Sequence, residues 1–176
     1  MNKTIWPLLF TVVALVAPSA SGQHTAPVDY IREATWQAYS RYYPSSPLCS
    51  DDEITLWSCS VGKRQYALCS SRVVTHAQGY MQYRASKTGN AVFTYPAIKR
   101  PPSGAFTYSS YANGNASVEF ANNGYRYSLV DPLRSESSII VEAPSGKTTG
   151  IACGGNQTLQ VNYTMRLMSD AGIWDR

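Results

Sequence analysis

The side chains in this chain that could do chemistry are four cysteines, two histidines, one acidic trio and a few Ser–Lys strings. The cysteines stand at Cys49, Cys59, Cys69 and Cys153. Nine-residue gaps between the first three lack the close C-x₂₋₄-C pairing of structural zinc sites, and His76 is the one histidine near them, so a metal centre is not expected. Two disulfides are the chemistry that remains, in any of three connectivities. A Cys59–Cys69 bridge would close a hairpin on itself. A bridge from Cys59 or Cys69 to Cys153 would close a far longer loop, worth about 1 kcal/mol more in the chain-entropy model, and a bridge to Cys153 is therefore expected.

Nucleophilic catalysis needs a base held against a nucleophile. His24 falls at the end of an apparent leader, and His76 lies in a connecting stretch beside Thr75 and Gln78, where it reads as a solvated loop residue. Asp51-Asp52-Glu53 are sequence neighbours with no second acidic cluster, which does not suit the roughly 5–9 Å carboxylate pair of glycoside chemistry or the spaced ligands of a calcium loop. Their expected role is to cap the start of the first strand. Ser60-Val61-Gly62-Lys63 matches S-x-x-K and Lys87-Thr88-Gly89 matches K-T-G, but no S-D-N lies between them and no helix starts at Ser60. Ser145-Gly146-Lys147-Thr148 ends like a P-loop, yet Val141 holds the position of the required earlier glycine. The sequence thus offers no catalytic residue, no cofactor site and no metal site, and reads as a non-enzyme.

The elements that would position these residues begin with a leader. Residues 1–22 carry Lys3, an apolar run from Ile5 to Val16 and then small residues, the layout of a secretory signal peptide whose apolar run is too short to span a bilayer. Export, to the periplasm or beyond the cell, is expected, with no membrane anchor once the leader is removed. The remaining 154 residues are the size of one domain and carry 14 basic and 11 acidic side chains. That mild excess does not suit a nucleic-acid binder. Residues 23–47 form an arm in which Val28, Ile31, Thr35, Ala38 and Tyr42 recur at helical spacing until Pro44 and Pro47.

Residues 48–176 read as a disulfide-stapled β domain. Strand-like segments recur at roughly ten-residue spacing: 54–59, 65–70, 79–84, 91–95, 105–111, 116–121, 125–130, 138–143, 149–153 and 158–167. Ala116, Val118 and Phe120 alternate with Ser117 and Glu119, as in a sheet with one wet face. Gly62 in Val61-Gly62-Lys63-Arg64, Asn113-Gly114 and Asn123-Gly124 mark hairpin turns, with Asn-Gly suited to type I′ geometry. The fold class is all-β, an antiparallel barrel or sandwich of about 8–10 strands with a short N-terminal helix; a closed or nearly closed barrel is the first expectation and a two-sheet sandwich the second.

Two surface signals remain. Of the 13 tyrosines, several, among them Tyr80, Tyr83, Tyr95, Tyr108, Tyr111, Tyr125 and Tyr127, fall on expected strands, where they serve packing or a ligand-facing aromatic patch. In a meander, alternate loops share one end, which gathers Lys63, Arg64, Lys87 and Arg134 at one end and Arg72, Lys99, Arg100 and Lys147 at the other. Lys63, Arg64, Lys87, Lys99 and Arg100 are the candidate partner-binding residues.

The leader, the turn Trp57-Ser58-Cys59-Ser60-Val61-Gly62-Lys63-Arg64 followed by Tyr66-Ala67-Leu68-Cys69, the segment Gly79-Tyr80-Met81-Gln82-Tyr83-Arg84 and the late Cys153 together resemble small exported four-cysteine proteins of Gram-negative bacteria. In architecture the chain is similar to periplasmic lysozyme inhibitors and to immunity proteins against secreted toxins. Their S-G-x-x-Y motif is absent: Ser103-Gly104 is followed by Ala105, Phe106 and Thr107. The resemblance implies compartment and fold, and no catalytic residue. The expected function is that of a binding protein of the envelope or exterior that meets a protein partner through its loops, an inhibitor or immunity factor being the nearest form. The alternative is a β-barrel that holds a small ligand or glycan.

Overall fold

The computed structural model describes residues 45–88, 91–132, 135–154 and 172–173. The leader, the helical reading of residues 26–43, the strand reading of 158–167 and Arg134 lie outside the described residues.

Among the described residues, nine strands form two antiparallel meanders. The first sheet holds β1 (Glu53–Val61), β2 (Arg64–Ser71), β3 (Met81–Ser86) and β4 (Ala91–Tyr95) in that order; the second holds β5 (Thr107–Ser110), β6 (Ala116–Asn122), β7 (Tyr125–Asp131), β8 (Ser138–Glu142) and β9 (Thr148–Ala152). The sheets do not close on each other. The barrel expectation therefore gives way to the sandwich: each sheet ends on its own edge strands, and the two meet through side chains rather than a shared ladder.

Alternation places the core. Trp57, Leu68 and Tyr83 from the first sheet pack with Val118, Leu129 and Ile139 from the second, and all six are buried. Where β4 meets β6 and β7, Tyr95, Phe120 and Tyr127 stack at successive centroid distances of 4.6 Å. Tyr83, Tyr95 and Tyr127 pack between the sheets, whereas Tyr111 and Tyr125 are exposed. Beside Trp57 that space falls to a void of about 10 Å³, the room of a single water.

Turn chemistry fixes the registers. Val61 pairs with Arg64, leaving the two-residue turn Gly62-Lys63 with Gly62 at φ 61°. Asn122 pairs with Tyr125, and both residues between them have positive φ, Asn123 at 50° and Gly124 at 78°, as type I′ demands. Asn113-Gly114 departs from the type I′ expectation. Only Gly114 is left-handed there, the Gly114 N–H donates to Tyr111 O and the Tyr111 N–H to Asn115 O, so the loop has three residues. Ala143 to Lys147 repeats that geometry around Gly146.

Two strand boundaries also move. The third strand starts at Met81 rather than Gly79, because Gly79 sits at φ 74° where an added Cβ would lie 2.1 Å from Val73 O. The fifth starts at Thr107, because the N–H groups of Ala105 and Phe106 are spent on Pro102 O.

The disulfides are Cys49–Cys69 and Cys59–Cys153. Register excludes the hairpin bridge between Cys59 and Cys69. Cys59 pairs with Tyr66 and faces the core, whereas Cys69 lies one residue out of phase and faces outward with Ala67 and Leu48. Cys59–Cys153 ties the first strand to the chain just beyond the last, as expected, and two disulfides of this kind are typical of exported proteins.

Candidate functional site

The acidic trio and the cationic loops become one structure on the outer face of the first sheet. Ser50, Asp51 and Asp52 turn the chain into β1, and the Glu53 side chain points away from the core with no solvent exposure. Arg84, on β3, grips it from two nitrogens: Nη1 donates to Oε2 at 2.6 Å and Nη2 to Oε1 at 2.7 Å. The Ser50 N–H and the Tyr80 hydroxyl donate to the same carboxylate at 2.8 Å and 2.7 Å. Burial alone would push the Glu53 carboxyl up. The bonds from Arg84, Ser50 and Tyr80 outweigh it and bring the group from an ordinary 4.5 down to about 2. Glu53 does cap the turn before the first strand, through Ser50, but it is chiefly the centre of a buried ion pair. The oxygens of its neighbours serve Arg72, which donates to the carbonyls of Asp51 and Asp52.

From this carboxylate two chains of bonds reach the connection between β4 and β5. Arg84 Nη2 also donates to Gln82 Oε1 at 2.8 Å, and Gln82 Nε2 donates to Pro96 O at 2.8 Å. Along the second path Tyr80 takes a bond from Lys99 Nζ at 2.8 Å, and Lys99 lies 3.5 Å from Glu53 Oε1. Burial raises the Tyr80 hydroxyl above its ordinary value, with the Glu53 charge adding to it, while the bond to Tyr80 raises Lys99. Pro96 and Lys99 are thus both anchored, and only Ala97 and Ile98 stand between them. The Met81 N–H fixes the next residue by donating to Arg100 O at 3.2 Å. Ile98, held on this short span, is 79% exposed.

The five candidate partner-binding residues separate. Registers Val61↔Arg64 and Gln65↔Ser86 bring Lys63, Arg64 and Lys87 to one end of the first sheet, all exposed. Lys99 and Arg100 lie at the opposite end, where Lys99 is bound to Tyr80 and Arg100 donates to Gly104 O at 3.4 Å. Lys99 bonds to Tyr80 and lies beside Glu53 while its side chain stays 54% exposed. Ile98 was missed in the sequence, although its place beside Lys99-Arg100 and before Pro101-Pro102 signals an apolar residue on a constrained loop.

Three other constellations have less to offer. Cys49, Glu53 and Cys69 lie close enough to suggest metal ligands, but the sulfurs are joined to each other and the carboxylate belongs to Arg84. His76 is exposed, as expected of a loop residue, and its Nε2 stands 3.3 Å from Ser103 Oγ. The N–H groups after Gly104 that could stabilise an oxyanion already serve Pro102 O. A groove of about 570 Å³ runs along β5 to β8 beside the Gly104–Phe106 turn, lined by Glu119, Arg126 and Ser128 of the second sheet and by Tyr95, Phe120 and Tyr127 of the aromatic stack. Comparison with known protein families, curated proteins and solved structures returns no match.

Proposed function

We propose that this is an exported binding protein of the periplasm or cell exterior, with no catalytic activity, that engages a protein partner through the Pro96–Pro102 loop as an inhibitor or immunity factor against a hydrolase or toxin. The observation that carries this reading is Ile98, an aliphatic side chain 79% exposed on a span anchored at both flanks to a buried ion pair. A loop fixed before binding loses little conformational freedom when it docks, so the gain from burying its tip shows as affinity. Full burial of an isoleucine is worth about 1.5–3 kcal/mol, about ten- to a hundredfold in Kd. Arg100 beside it favours a partner with an acidic rim.

The test is a crosslinking pulldown from the native envelope fraction with the mature, oxidised protein as bait, run beside an Ile98→Asp bait. Recovery of one hydrolase or toxin, its inhibition by the protein, and the loss of both with Ile98→Asp are the expected results. Equal recovery by the two baits would show that the loop is not the contact, and recovery of nothing would remove the protein-partner reading.

A further inference from the structure

We infer that the groove along β5 to β8 is a binding site for a neutral oligosaccharide, one that the Ile98 side chain does not line. The registers define its floor. Tyr108, Val118, Leu129 and Ile139 form an inward rung, so the neighbouring rung Thr107–Glu119–Ser128–Ile140 points outward, and so does Ala121–Arg126–Glu142. The Gly104–Phe106 turn walls one side, and Tyr95, Phe120 and Tyr127 of the stack between the sheets line the groove as well. At about 570 Å³ the groove lies within the roughly 300–1,000 Å³ range of ligand sites.

Charge selects the ligand class. Arg126 Nη2 donates to Glu142 Oε2 at 2.6 Å, and both side chains remain open to solvent, at 71% and 39% exposure. Glu119, steadied by a 2.9 Å bond from the buried Ser117 hydroxyl, adds a second negative charge to the field at Arg126, and the two carboxylates raise that guanidinium further above its ordinary value. The three charges sum to one negative charge, which disfavours an anionic ligand. Sugar hydroxyls both donate and accept, and so match a floor that alternates guanidinium, carboxylate, Ser128 and Thr107 hydroxyls. Ile140, 38% exposed, and Ala121 supply apolar surface for the C–H face of a sugar ring.

The experiment is an NMR titration of the ¹⁵N-labelled, oxidised protein with millimolar hexaoses of β-1,4-glucose, α-1,4-glucose, xylose and N-acetylglucosamine. At least one should move the amide signals of Thr107, Glu119, Ser128 and Ile140 and leave those of Ala97 and Ile98 in place. Arg126→Ala, at an exposed position, should weaken that binding about tenfold without lowering Tm. Ile98→Asp should bind the same sugar unchanged, which keeps the result independent of the loop reading. The inference is overturned if no hexaose moves any groove signal, if the shifts map elsewhere, or if a carboxylated or sulfated oligosaccharide binds more tightly than its neutral parent.

Discussion

Each sheet of the sandwich carries one arginine–glutamate pair on its outer face, each with a 2.6 Å contact, and the two serve different ends. In the first sheet Glu53 is fully buried and Arg84 is 11% exposed; their remaining bonding capacity is met by Ser50, Tyr80, Gln82 and the Leu48 carbonyl. In the second, Arg126 and Glu142 sit directly opposite each other across β7 and β8, with Arg126 largely exposed and Glu142 partly so. The difference is what covers them. The Leu48–Ser50 segment, pinned by Cys49–Cys69, closes over the first sheet and turns its pair into a structural clamp. The second pair keeps donors and acceptors that a ligand can still use.

The largest test of this contrast breaks the covalent ties. Replacing Cys59 and Cys153 by serine opens a loop with a separation of 94 residues and should cost about 5 kcal/mol, against about 3 kcal/mol for Cys49 and Cys69, separated by 20. Denaturant unfolding of the two double variants measures both, and a reversed order would mean that the short bridge holds more than its own loop. Arg84→Met comes next. It strands a buried carboxylate, and a loss of about 3–5 kcal/mol is expected, with faster hydrogen exchange at Ala97 and Ile98 as the loop loses its Gln82 anchor.

Acid should then separate the two pairs without mutation. Because the folded state lowers the Glu53 carboxyl to about 2 from 4.5, its contribution is complete above pH 4.5 and disappears as the pH falls through about 2. The amount is on the order of 3 kcal/mol, and Glu53→Gln should flatten that part of a Tm-against-pH curve. The smallest expected effect is Arg126→Ala, which should leave Tm and the denaturant midpoint unchanged, as exposed pairs do. A marked drop in either would mean that the second pair is structural as well.

Much of the fold was legible because strand period and turn chemistry are local. The segments 91–95 and 116–121 correspond closely to β4 and β6, and Asn123-Gly124 forms the turn its residue types require. The misplaced starts of β3 and β5 have a local cause too, but one set by neighbours: Gly79 is held against Val73, and Ala105 and Phe106 against Pro102. The candidate sites were far less legible. Glu53, Tyr80, Arg84 and Lys99 lie up to 46 positions apart, and nothing in their spacing shows that two strands and two connections bring them to one carboxylate.

By itself the sequence determined an all-β domain over the described residues, with cysteines suited to two bridges and its hairpin turns, since each depends on residue type and short spacing. Tertiary structure decided that the sheets stay open, that Cys59 and Cys69 face opposite ways, that one glutamate–arginine pair is buried while its counterpart meets solvent, and that Ile98 is presented on a fixed span. Those outcomes depend on which strands become neighbours and which face is covered, and burial of this kind is a property of the assembled layers rather than of any one segment.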